Sequence, residues 1–407
     1  MNRLFTGFAA LFAILAVAAG SAAAAHGPKL PLPLPAHGQR AVCTAAVPGL
    51  AHCDAHVVTA DGGAAPLATP SYQYGYSPQN LASAYRWGSA PTVNPPQTVA
   101  IVDAYDNPNA ESDLATYRSQ FGLPPCSSAN GCFDKRNQRG GTAPPAGDTG
   151  WGQEIDLDIE MVSAVCPNCK ILLVESDSNS FADLGAAVNE ASTLGANAIS
   201  NSYGASEFLG ETSYAGPYNH PGVAITVSSG DGGYGVEVPA AYNTVVAVGG
   251  TSLSTAAGTT RGWSESAWNG AGSGCSSQIS KRSWQTDKGC GRRTVADVSA
   301  VADPNTGVAV YDSYGSTGGA NWYVFGGTSV ASPIIASVYG LAGNANTVAY
   351  AAQLPYASPG KLFDVASGSN GNCSRGKRNT SSKYLCTAGT GYDGPTGLGT
   401  PNGIDGF

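Results

Sequence analysis

The 407-residue chain predicts an α/β fold, a doubly wound and mostly parallel sheet with helices on both faces. Two observations carry that expectation. Short apolar runs rich in β-branched residues recur along the chain, each bounded by turn residues, as buried parallel strands require. Stretches with helical spacing lie between them, an alternation that covers both faces of a sheet and leaves ligand sites at the strand C-terminal ends.

Met1-Asn2-Arg3 is a short positive region, Leu4 to Ala18 is apolar, and Gly20 to Ala25 are small, so residues 1–25 read as a secretory signal peptide. No other apolar run is long enough to span a bilayer, so the mature protein is expected outside the membrane, extracellular or periplasmic. Residues 26–70 are rich in Pro, Ala, Gly and His, and Pro28, Pro31, Pro33 and Pro35 interrupt any periodicity. That composition predicts a short pro-segment that orders poorly by itself. Residues 71–407 then form one large domain.

Within it, Thr98–Val102, Ile171–Val174, Gly222–Val227, Thr244–Val248 and Gly307–Tyr311 read as buried parallel strands, and Phe181–Ala191 as a crossover helix. Residues 151–165 read as a longer helix. At about 100° per residue, Glu154 and Asp158 fall roughly 40° apart inside the arc of Ile155, Leu157, Ile159, Met161, Val162 and Val165. Asp156 and Glu160 are expected to face solvent. Two acids on an apolar face are costly to ionise together and share a proton. An ordinary solvated acidic helix leaves Glu154 and Asp158 unexplained. A strand is the other alternative, because residues 154–160 alternate acidic and apolar, but the apolar run to Val165 favours the helix.

Asp231 follows a strand through Ser228-Ser229-Gly230, where Gly232-Gly233 frees the backbone to turn, although an Asp-Gly turn without chemistry has the same look. Ser329 follows Gly326-Gly327-Thr328 and opens an apolar helix through Leu341, a place for either a cap or a nucleophile. A serine hydroxyl needs a positioned base. The five histidines are His26, His37, His52, His56 and His220; the first four precede the expected catalytic unit, and His220 sits in a Pro-Gly turn. The base is therefore expected to be a carboxylate.

Three separated elements, Glu154-x-x-x-Asp158, Ser229-Gly230-Asp231 and Gly327-Thr328-Ser329-x-x-Ser332-Pro333, resemble the sedolisin family of serine-carboxyl peptidases, whose fold is subtilisin-like. The resemblance runs from about Tyr72 to the end. It implies Ser329 as nucleophile, Glu154 as general base, Asp158 as the partner sharing its proton, and Asp231 as oxyanion stabiliser. Two departures stand out. The family generally carries a long folded pro-domain, and it has serine where this chain has Gly232.

The same resemblance implies one structural calcium ion held by Asp364 and Asp393 carboxylates and the backbone carbonyls of Val365, Gly389 and Gly391, hard oxygen donors suited to Ca²⁺; a Gly-rich surface turn is the alternative. Residues 372–384 look like an insertion relative to the family. Peptide substrates are expected to pair with backbone near Asn201–Ala205.

Charged residues are 12%, Gly numbers 54 and the formal net charge is -8, so nothing basic enough for nucleic-acid binding is present. An acid-tolerant secreted protein fits that composition; no feature demands an oligomer, so a monomer is expected, and the resemblance implies protein or peptide substrates. Ten cysteines pair by proximity as 43 with 53, 126 with 132, 166 with 169, 275 with 290 and 373 with 386, although spacing does not fix connectivity. A redox or zinc role for Cys166-Pro-Asn-Cys169 is disfavoured by export and by the lack of a matching second ligand pair. Two other functions stay open: an inactive secreted binding protein with the same fold, supported by the short pro-segment and Gly232, and a histidine-dependent subtilisin, supported by Ile101-Val102-Asp103-Ala104 but lacking its His-Gly element.

Overall fold

The central sheet has eight strands, in the order β12 (Trp263–Ala267), β11 (Val246–Thr255), β9 (Ala224–Ser228), β7 (Ala198–Asn201), β4 (Thr98–Ala104), β6 (Lys170–Ser176) and β5 (Phe133–Asn137), with β15 (Val298–Val301) also paired to β11. All neighbours are parallel except β11 and β12. This computed structural model describes residues 29–407, apart from 45–46, 48, 90–92, 316–318 and 374–379, together with Met1. The rest of the expected signal peptide lies outside the described residues. Among them no helix is long and apolar enough to cross a membrane.

The strands follow from the sequence. Val99, Ala100, Ile101 and Val102 are all buried, as are Ile171 to Val174 and Ala224 to Val227, so both sheet faces are covered. Helix α3 (Thr149–Val165) and α5 (Thr328–Ala342) pack side by side, while α4 (Phe181–Thr193) lies over β4, β6 and β7. Capping sets the start of α3, where the Asp148 carboxylate accepts from the N–H groups of Gly150 and Trp151 at 2.9 and 3.0 Å. The five disulfides join the cysteines paired above by proximity.

Three expectations need correction. The run at 307–311 is not a parallel strand of the main sheet. It forms β16 (Val308–Asp312), antiparallel to β17 (Asn321–Gly326), in a second sheet of order β1-β3-β17-β16, with β1 at His37–Ala41 and β3 at His56–Ala60. The link between β16 and β17 is too short for the crossover that a parallel pair needs.

Asp156 and Glu160 do not face solvent; both are fully buried. Helix α3 lies between the sheet and an outer layer of α2 (Ala110–Phe121) and β16, and so has no wet side. Glu160 accepts the N–H of Tyr311 in β16 at 3.0 Å.

Nor is the stretch before residue 70 irregular throughout. Strand β3 pairs with β17, which leads directly into α5, and β2 (His52–Cys53) pairs antiparallel with β8 (Tyr203–Ser206). His52 and His56, placed ahead of the folded unit by the sequence, therefore belong to it.

Candidate active site

Ser329 is the second residue of α5 and is fully buried. Gly327, just ahead of the helix, has φ 103°, and a Cβ there would lie 2.1 Å from the Asp54 carbonyl oxygen and 2.6 Å from Asp231 Oδ2, so only glycine fits. Pro333 has no N–H to give to the Ser329 carbonyl one turn back. The Ser202 hydroxyl, whose proton goes to Asp158, lies 3.4 Å from that carbonyl.

Glu154 and Asp158 both project from α3 toward the neighbourhood of Ser329, and neither is exposed. Burial, followed by the charges of Asp158, Asp103 and Asp54, holds the Glu154 carboxyl well above its ordinary range, while the Ser329 hydroxyl beside it works the other way. In the observed rotamer that hydroxyl donates to the Ser202 carbonyl at 3.2 Å. Both Asp158 oxygens accept from the Ser202 hydroxyl, at 3.0 and 2.7 Å. Burial and the charge of Asp103 nonetheless raise Asp158 well above its usual value. Buried side by side, the two acids resist ionising together, and the pair keeps one proton between them above the range in which free carboxyls lose theirs.

Asp231 follows β9 and reaches the start of α5. Its Oδ1 accepts both the N–H and the hydroxyl of Thr328, each at 2.8 Å, while Oδ2 has no hydrogen bond among the described residues and lies 3.4 Å from the His56 imidazole. Burial first and the charge of Asp54 second push its carboxyl well above the ordinary range, against the Thr328 bonds. Gly232 after it does not free this carboxyl, because Thr328 ties it down.

The site also contains residues that the sequence did not single out. Asp103 ends β4 beside the Glu154–Asp158 pair, with burial pushing its carboxyl up to about 8. Its strand had been noted only for a likeness to subtilisins. Asp54, His52 and Glu237 meet next to Asp231, their nearest ligand atoms all within 4.8 Å of one another. No sequence signal could have found Asp54, since its neighbours in space lie far away along the chain. His220 takes no part: it bonds Asn189 on α4 at 3.0 Å.

The profile of the subtilase family matches residues 141–356, a span that contains Glu154, Asp158, Asp231 and Ser329. The chain belongs to the subtilase family. Within it, the sedolisin family is the group it resembles. Kumamolisin of Bacillus sp. (strain MN-32) is 29% identical over 370 residues, covering 81% of this chain and 62% of that protein. Sedolisin of Pseudomonas sp. (strain 101) is 34% identical over 212 residues, covering 44% of this chain and 33% of that one. The chain thus spans less than two thirds of the length of these subtilase relatives. A solved structure of Pseudomonas sedolisin, a serine-carboxyl proteinase complexed with pseudo-iodotyrostatin, superposes with a TM-score of 0.65 at 27% identity, covering 82% of this chain and 96% of the other. A lanthipeptide protease shares the subtilase fold with a TM-score of 0.52 at 15% identity.

The candidate calcium loop lies outside the matched span. Asp364 follows β18 (Leu362–Phe363), which pairs with β19 (Thr400–Pro401), and its Oδ2 accepts the Gly391 N–H at 3.0 Å. Asp393 accepts from the N–H groups of Gly389 and Thr396, both at 3.0 Å. Burial pushes its carboxyl up to about 7, with the Asp364 charge acting in the same direction. Two carboxylates in a glycine loop, with the Asp364 charge adding to the cost of ionising Asp393, fit a hard cation. Val365 is buried beside them.

Proposed function

We propose that this chain is a secreted serine-carboxyl peptidase that hydrolyses peptide bonds within proteins in acidic medium. The observation that carries the reading is a buried serine at a helix N-terminus facing a buried carboxyl pair, with no imidazole bonded to its hydroxyl. Glu154 accepts the Ser329 proton as the oxygen attacks the substrate carbonyl. Asp158, held by Ser202, shares a proton with Glu154 and fixes its orientation. The neutral Asp231 donates to the developing oxyanion together with the Ser329 N–H.

Acid is needed for a definite reason. The pair must carry one negative charge to act as base, so activity rises as it first ionises. Asp231 must keep its proton to donate, so activity falls once that proton leaves. Its raised affinity for the proton keeps it neutral above the ordinary carboxylate range.

The disulfides support an oxidising destination, and the N-terminal sequence supports export. Asp364, Asp393 and the loop carbonyls of Val365, Gly389 and Gly391 would hold one calcium ion, which ties the C-terminal loop together and takes no part in the reaction. The substrates are protein or peptide chains, and the enzyme works as a monomer. Activity toward a denatured protein at acidic pH tests the reading. Glu154→Gln and Ser329→Ala should each lower the rate by about 10²-fold or more; two variants that cleave normally would end it.

A further inference from the structure

Residues 52–56 run through the cleft beside Ser329. In β2, His52 lies opposite Gly204 and Cys53 opposite Tyr203, an antiparallel pairing on the edge expected to take substrate. The next residue continues the pattern: the Asp54 N–H donates to the Ser202 carbonyl at 3.1 Å. Its own carbonyl then accepts the N–H of Ser329 at 3.0 Å, one of the two donors assigned above to the oxyanion. A Cβ on Gly327 would lie 2.1 Å from the Asp54 carbonyl oxygen, 2.6 Å from Asp231 Oδ2 and 2.9 Å from the Ala55 Cα, so these three atoms gather around one point.

The Asp54 side chain is wholly buried in a polar pocket. Its Oδ2 accepts from the Ser228 hydroxyl at 2.5 Å, and its Oδ1 lies 3.5 Å from His52 Nε2. Glu237 stands across the pocket with Oε2 buried and without a hydrogen bond. The disulfide from Cys53 to Cys43 secures the strand immediately ahead of Asp54.

We infer that the Asp54–Ala55 bond is this enzyme's own first substrate, and that the pocket around Asp54 selects aspartate on the acyl side of the bond in other chains. This rests on the peptidase reading above. Ser329 Oγ bonds to the Asp54 carbonyl carbon and its proton passes to Glu154. The C–N bond breaks and the Ala55 nitrogen takes that proton, becoming a new N-terminus. Water then hydrolyses the ester, restoring Ser329 and leaving Asp54 as a C-terminal carboxylic acid. An apolar side chain in the pocket would take away the carboxylate that the Ser228 hydroxyl donates to, which is how polar pockets reject wrong groups. Asparagine keeps the shape and a hydrogen-bonding partner for Ser228.

Full-length protein carrying Ser329→Ala, Asp54→Leu or Asp54→Asn is compared with the unaltered chain by intact mass and N-terminal sequencing during incubation in acid, with degradation of a denatured protein followed in parallel. The expected result is a fragment beginning at Ala55, formed at a rate independent of protein concentration. Cleavage should be absent in Ser329→Ala, slowed about 100-fold in Asp54→Leu and kept within about tenfold in Asp54→Asn. A peptide library should show cuts after aspartate enriched at least tenfold over cuts after leucine. Degradation of the added protein with residues 54 and 55 still joined, or an Asp54→Leu chain cut as fast as the unaltered one, overturns the inference and leaves the peptidase reading intact. No hydrolysis of either substrate overturns both.

Discussion

Asp231 is the residue at which the proposed acid dependence can be tested most directly. Its Oδ1 is committed to Thr328, so Oδ2 is the atom available to donate, and it donates only while protonated. Replacing it with asparagine keeps an oxygen for Thr328 and supplies an N–H that no change of pH removes. Asp231→Asn should therefore move the falling limb of the kcat/KM profile to higher pH by a unit or more, with the peak lower by about 10- to 100-fold because the donor is weaker. A falling limb that stays in place would assign it to another group. Ser329, Glu154, Asp158 and Asp231 were legible because each sits in a local pattern of glycine, apolar periodicity or turn residues. Asp54 and Glu237 were not, because they meet through β2 and the two-residue strand Glu237–Val238, both paired antiparallel with β8, pairings that no local pattern encodes.

Among the elements, apolar runs gave β4, β6, β9, the start of β11 and the span of α3, since burial on two faces leaves a continuous β-branched signal, while β5, β12 and β15 carry no such run and went unread. The same signal says nothing about partners, and β16 was therefore misplaced. Helix periodicity located the inward acids but assumed one wet face, which α2 and β16 remove from α3. The loop after β18 yields a test at this scale. The Asp364 charge adds to the cost of ionising Asp393, and a cation bound there would remove that cost while joining two segments separated in sequence. Metal analysis should find one calcium per chain, and chelation should lower the Tm by several degrees, as loss of a ligand bound to the native state requires. Asp364→Asn should lower the Tm in calcium and abolish the response to chelator. A calcium-free protein indifferent to chelation would return this loop to an ordinary turn.

For the whole molecule, the buried carboxyls set an unusual dependence of stability on pH. Burial pushes Asp312 up to about 6 and Asp103 up to about 8, and holds Asp156 and Glu160 well above the ordinary range, with neighbouring acids adding to the last two. In the unfolded chain these groups titrate near about 4. Between those values the native state binds more protons than the unfolded state, so stability falls as pH rises. The contribution is complete below about pH 4 and is lost progressively through the folded values, the reverse of ordinary acid denaturation. A shift of about two units in one such group is worth on the order of 3 kcal/mol. Thermal melts from acid to pH 8 should show the Tm falling by about 10 °C or more, and Asp156→Asn, which needs no proton, should flatten that fall while leaving the acid value nearly unchanged. A Tm that rises toward neutrality would contradict the burial of these acids. The surface contributes little to the trend, because only 12% of residues are charged. On the proposed mechanism catalysis and folding ask for the same medium: the acid that keeps Asp231 neutral also keeps Asp156 and Glu160 uncharged within the core.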